Sequence, residues 1–262
     1  MSTNIHADIR TLANGPIMER YLGSLLTGDR KAARDAVADA VSSTSSRIAL
    51  GGLCWAAMET LRELYRENKL TRSQLGFATR LNRSLVDRLS GDLHAKPSNH
   101  KSVLVLCGDE EPEELGGQMC ADLFEAEGWE ARFAGGGVPN DEVLELVGQS
   151  RPDLVVIFAS RGSNLPQVRE MIDYLRDVNC CPDMQVMCAG GIYKRAPGLA
   201  EEIGADLWAD DAEEAVSVAA LNPNRKASTA QQTVGKMRRI RQQKEEQRAA
   251  EASNDRQLAM AA

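Results

Sequence analysis

The stretch GDEEPEELGGQM, Gly108 to Met119, sets Asp109, Glu110, Glu111, Glu113 and Glu114 directly after the apolar run SVLVLC. Carboxylates at this density hold a hard cation, keep an anion away, or complement the positive end of a helix. A phosphate cradle needs glycines and free backbone amides, and the acidic charge works against one. Gly116 and Gly117 form no dinucleotide fingerprint, and the chain contains no P-loop. A Mg²⁺ site on Asp109 and Glu111 is the metal reading; a solvated acidic helix start is the plainer one. His6, His94 and His100 show neither HxH nor HxxxH spacing and adjoin no nucleophile motif. No hydrolase or zinc constellation is therefore expected, and no catalysis. The six cysteines form no CxxC pair and read as reduced thiols, mostly buried.

These residues need elements to position them. From Pro16 to about Leu89 the apolar spacing is helical throughout, with Asp29 and Thr71 as N-caps. Four helices with short connections predict an antiparallel bundle over 16–92, preceded by an arm at 1–15. The polar stretch GDLHAKPSNHKS marks a linker at 93–101. Over 102–221 the runs SVLVLC, WEARFA, DLVVIFA, QVMCA and ADLWA alternate with helices starting near Leu115, Asn140, Leu165, Ala196 and Ala212. That alternation predicts an α/β domain, a flavodoxin-like doubly wound five-stranded parallel sheet in the order 2-1-3-4-5. Ligands of such sheets sit beyond the carboxyl ends of strands 1 and 3, where the acidic stretch lies. A phosphorylation receiver shares this topology, but the third strand ends FASRGSN, with Ser160 and Arg161 where a phosphoacceptor Asp belongs.

Charge and hydropathy bound the partners. The chain has 262 residues and a net charge of -7, which argues against general nucleic-acid binding, and no DNA-reading motif occurs. No apolar stretch is long enough to span a membrane and no signal segment begins the chain, so a cytoplasmic location is expected. The tail, 222–262, carries a charge of about +5 against about -12 for the rest, and it is read as a partly helical or disordered partner-binding segment.

Three further stretches carry a resemblance. YLGSLLTGDRKAARDAVADAV, GGGVPNDEVLELVGQSRPDLVVIFAS with LPQVREMIDYLRD, and CAGGIYKRAPGLAEEIGADLWADDAEEAV occur in that order. Together, from Tyr21 to Leu221, they resemble the cobalamin (B12)-binding module, a helical cap plus a flavodoxin-like domain. Methionine synthase, methyltransferase corrinoid proteins and B12-dependent light-responsive regulators contain it. In that family the first loop reads Asp or Glu, any residue, His, two residues, Gly, and the His coordinates cobalt. The matching segment here is EPEELG: Glu111 stands for the acidic residue, Gly116 for the glycine and Glu113 for the His.

The resemblance implies a cofactor site of Glu111, Glu113, Gly116, Ser160, Gly190 and Gly191, the last two keeping space for the cofactor's nucleotide base. Glu113 would be a weak oxygen donor to cobalt, so any cobalamin is expected without lower His ligation. The light-responsive cap motif is matched by Tyr65 and by Leu75 with Gly76, none of which coordinates; Trp55 is read as core packing. His94 and His100 would reach cobalt only if the linker folded back. The expected function is a cobalamin-binding-like regulatory or sensory protein acting through a protein partner, by way of bundle or tail. The alternatives are a corrinoid protein of a methyltransferase system and a ligand-free scaffold.

Overall fold

The computed structural model describes residues 5–228. The expected basic tail lies outside the described residues from 229 onward.

The N-terminal part contains α1 (Ile5–Ala13), α2 (Pro16–Thr27), α3 (Arg30–Ser43), α4 (Ser46–Ala49), a π-helical segment (Leu50–Trp55), α5 (Ala56–Arg66) and α6 (Arg72–Gly91). The four expected helices are α2, α3, the continuous run from α4 through α5, and α6. Local chemistry sets their ends. Asp29 accepts from the amides of Lys31 and Ala32, Thr71 and Gln74 form a reciprocal capping box, and Gly28 ends α2 in the left-handed region.

The expected arm differs: most of it is α1, packed against the π-helical segment. A Cβ on Gly52 would lie 2.9 Å from the Ile9 carbonyl oxygen and 3.1 Å from Leu12 Cβ, so glycine is what lets α1 approach. The widened turn is held from inside the bundle. Asn82 Nδ2 donates to the Cys54 carbonyl at 2.9 Å, and the Tyr21 hydroxyl donates to Asn82 Oδ1 at 2.7 Å.

The C-terminal part alternates β1 (Ser102–Cys107), α7 (Glu111–Ala126), β2 (Glu130–Gly135), α8 (Asn140–Ser150), β3 (Leu154–Phe158), α9 (Leu165–Val178), β4 (Gln185–Ala189), α10 (Gly191–Arg195), α11 (Leu199–Glu202), β5 (Leu207–Ala209) and α12 (Ala212–Leu221). All strand pairs are parallel, and the order is β2-β1-β3-β4-β5, as expected. Every residue of β3 and β4 is buried, as a sheet covered on both faces requires. Alternation then sorts side chains between two cores. Val103, Val105, Val156 and Phe158 join α7, α12 and the bundle; Leu104, Leu106, Val155 and Ile157 join α8, α9 and the short helices.

Two helix starts depart from expectation. α7 begins at Glu111 rather than near Leu115, with Pro112 in its first turn, so Glu111, Glu113 and Glu114 belong to the helix and complement its dipole. The helix expected from near Ala196 is the short α11, starting after Pro197 and Gly198, the latter at φ 86°, and a further short helix, α10, precedes them.

The linker runs along the amino edge of the sheet, where Lys96 N donates to Ala126 O and Asn99 N to Gly128 O, both at 2.9 Å. His94 and His100 are exposed there, at the end of α7 opposite the acidic stretch. The first tail residues are anchored at the same edge: Gln185 Nε2 donates to Asn222 O and Arg225 O, and Ala227 N donates to Asp206 Oδ1.

Candidate functional site

The first turn of α7 stands at the carboxyl end of β1, next to the end of β3, and faces α5 and α6. Glu113 is fully buried there. Its carboxylate accepts from Arg62 of α5, from the Ser160 amide at 3.0 Å and from the Ser160 hydroxyl at 2.7 Å. The solvated acidic start expected from sequence is thus corrected at this position: a buried carboxylate persists only when paired and hydrogen-bonded, and the bundle supplies the pair. The other glutamates are also matched. Glu111 meets Arg80 at 3.2 Å, Glu114 meets Arg83 at 3.4 Å, and Glu110 pairs with Arg161.

Three of these four arginines belong to the bundle, so the acidic stretch is the sheet-side half of a charged seam. Gln118 to Asp87 at 2.7 Å and Ser90 to Asp122 at 2.5 Å continue the seam along α6 and α7. Arg47 closes its far end on Glu127 and Glu213. Arg62 uses only part of its fork: its Nη1 is buried without a hydrogen-bond partner among the described residues.

A second layer lies beyond β3 and β4. Arg195 Nη2 donates to the Ser160 carbonyl at 2.5 Å. Burial pushes the Glu59 carboxyl above the usual carboxylate range, against the pull of Arg62, Arg195, Arg66 and Lys194. A Cβ on Gly191 would run into that carboxylate and would lie 3.0 Å from Arg195 Nη1.

Phe158, the last residue of β3, fills the remaining space. It is fully buried, a Cβ on Gly116 would penetrate its ring, and a Cβ on Gly190 would lie 2.9 Å from its Cε2. Trp55 stands edge-on to Phe158, with ring centroids 5.7 Å apart at 83°. Cys107 adjoins this group; burial, reinforced by Glu114 and Glu113, pushes its thiol up to about 12, which leaves it unreactive near neutrality.

The structure therefore gathers Glu113, Gly116, Ser160, Gly190, Gly191 and Trp55 into one contact, with Glu111 at its edge. Tyr65 is partly exposed on α5, Leu75 is half-buried against the bundle core, and Gly76 faces open space. Sequence reasoning missed Arg62, Glu59 and Phe158. A signal existed for Arg62, which follows Trp55 and Met58 at helical spacing and so had to lie on the buried stripe of α5. On the opposite face of the sheet, α8 and α9 border an open crevice of about 330 Å³ lined by Asp109, Asn140, Asn164, Gln167 and Met171 among others.

Comparison with known proteins bears on what this arrangement is. A family model described as a B12 binding domain matches residues 101–218, and a second B12 binding domain model matches 17–90. The chain belongs to the cobalamin-binding module family. Its bundle and its sheet domain are the two parts of that module. Dimethylamine corrinoid protein 1 of Methanosarcina acetivorans is 24% identical over 206 residues, 78% of this chain and 95% of the relative. Dimethylamine corrinoid protein 2 of Methanosarcina mazei is 26% identical over 63% of this chain and 77% of its own length. Among solved structures, the monomethylamine corrinoid protein of Methanosarcina barkeri superposes with a TM-score of 0.66 at 15% identity, covering 77% of this chain and 95% of that one, which shows the shared fold.

Cobalamin is the cofactor of this module, and the present side chains test the fit. The group does not fit the arrangement described. The slot between Gly116 and Gly190 holds the Phe158 ring, the space beside Gly191 holds Glu59, and Glu113 is committed to three hydrogen-bond donors. Bundle and sheet are closed on each other at this contact.

Proposed function

We propose that this protein is a corrinoid-type carrier module that serves a methyl-transferring protein partner, with the bundle acting as a cover over the carboxyl edge of the sheet. The observation that carries this reading is the charged seam. Arg62, Arg80 and Arg83 on one side face Glu113, Glu111 and Glu114 on the other, so a charged rim borders the apolar core that bundle and sheet share. Charged pairs at the rim of a contact within one chain can part and re-form more readily than buried apolar packing, which favours a cover that moves. Relatives named as corrinoid proteins support the carrier reading over a regulatory or sensory one. The chain's own residues then have two tasks: Arg62 and Glu113 hold the cover shut, and Ser160 ties the segment after β3 to that carboxylate through its amide and hydroxyl.

A ligand-free interaction module is the second reading, and the filled slot between Gly116 and Gly190 favours it. The deciding measurement is the absorption spectrum after incubation with hydroxo-, methyl- or adenosylcobalamin and desalting. Retained corrinoid whose bands lack His ligation supports the carrier; a His-ligated spectrum overturns the account of Glu113. No retention under any condition, with or without an added methyltransferase, leaves the interaction module.

A further inference from the structure

The geometry points to a self-occupied cofactor site: the Phe158 ring, backed by Trp55, fills the slot between Gly116 and Gly190, and the Arg62–Glu113 clamp locks it, so ligand entry requires the chain to vacate its own site. The inference rests on the corrinoid reading above and deepens it by naming what gates access.

Three observations converge. Phe158 is fully buried at the sheet's carboxyl end; a Cβ on Gly116 would penetrate its ring, and one on Gly190, already meeting the Ala159 carbonyl, would lie 2.9 Å from it. The clamp sits two residues further along the chain, where Ser160 donates both its amide and its hydroxyl to Glu113. The ring cannot leave while this carboxylate pins the segment after β3. The third is the half-used fork of Arg62, whose buried Nη1 lacks a partner among the described residues. Such a contact closes the site without satisfying it, and the unsatisfied donor lowers the cost of opening.

A site that must open before it binds has its apparent affinity reduced by the open fraction. An open population of about 1% weakens binding about 100-fold. Substitutions that empty the slot or release the clamp remove that penalty.

The test is equilibrium dialysis of the full chain against hydroxocobalamin, with tryptophan fluorescence quenching as a second readout, because Trp55 borders the slot. Phe158→Ala empties the slot, and the double substitution Arg62→Met with Glu113→Gln releases the clamp without leaving a lone buried charge. Gln149→Ala, exposed near the end of α8 at the other edge of the sheet, is the control. Circular dichroism melting checks that each variant folds, and the double variant carries the test if Phe158→Ala does not.

The expected result is weak uptake by wild type and by the control, and a gain of about tenfold or more in the opened variants. Equal, tight uptake by wild type and opened variants overturns the inference and leaves the corrinoid reading standing. An equal gain in the control overturns it too. Absence of uptake by every variant overturns both.

Discussion

The two faces of the sheet end differently at the same edge. On the side of α7 and the bundle, Phe158, Trp55 and the Arg62–Glu113 pair leave no room, although Gly116, Gly190 and Gly191 are the kind of residues that make room. On the side of α8 and α9 the residues after β1 and β2 border an open crevice of about 330 Å³. The difference is one of partners rather than of strands. The first face is closed by a separate helical unit carrying its own charges, and the second only by helices that the sheet itself connects. Glycine therefore marks space, and a neighbouring element decides who occupies it.

Substitutions can break or sharpen this contrast. The largest loss is expected for Phe158→Ala, about 4 kcal/mol, because a fully buried aromatic side chain leaves a cavity between two packed units. Denaturant unfolding measures it, and a loss no larger than that of an exposed residue would show that the filled face does not bear on stability. Arg62→Met alone should cost about 3 kcal/mol, since it strands the buried carboxylate of Glu113, and adding Glu113→Gln should recover part of that. Strict additivity of the two substitutions would disprove the clamp.

A pair of helical glycines compares the faces directly. Gly116→Ala should destabilise by about 1 to 3 kcal/mol, because its Cβ meets the Phe158 ring. Gly148→Ala in α8, where no atom lies within 4 Å, should stabilise by about 0.5 to 1 kcal/mol through helix propensity. Equal melting shifts of the same sign would erase the contrast.

The smallest effect is a pH dependence. Burial raises the Glu59 carboxyl in the folded state, so its favourable contribution is present below the unfolded carboxylate value and is lost as pH rises through the folded one. Glu59→Gln should therefore melt higher than wild type near neutral pH, and the advantage should vanish as pH falls into the ordinary carboxylate range. A pH-independent difference would assign the effect to packing instead.

Much of this architecture was legible without coordinates. The strand runs with their alternating helices predicted the parallel sheet and its order, and apolar spacing with Asp29 and Thr71 predicted the bundle. The misses share a cause. The helical state of Ile5–Ala13 depends on Gly51 and Gly52 admitting it, a contact some forty residues away in sequence and beyond any local period. α7 starts early because the bundle's arginines and the helix dipole together favour a glutamate-rich first turn. Truncation is affected as well: the segment Asn222 to Ala227 is anchored to β4 and the residues around it, so a deletion intended to spare the body has to begin after Ser228.

By itself the sequence determined the order of elements, the five-stranded topology, and a glutamate-rich stretch containing Glu113 directly after the first strand. These follow from short-range periodicity and from residue identity at motif spacing. Only the tertiary structure decided what Glu113 does there. Its charge is tolerable in the interior because Arg62, 51 residues earlier, and Ser160, 47 residues later, converge on it. The desolvation of a carboxylate depends on everything that surrounds it, and those surroundings exist only once bundle and sheet have closed.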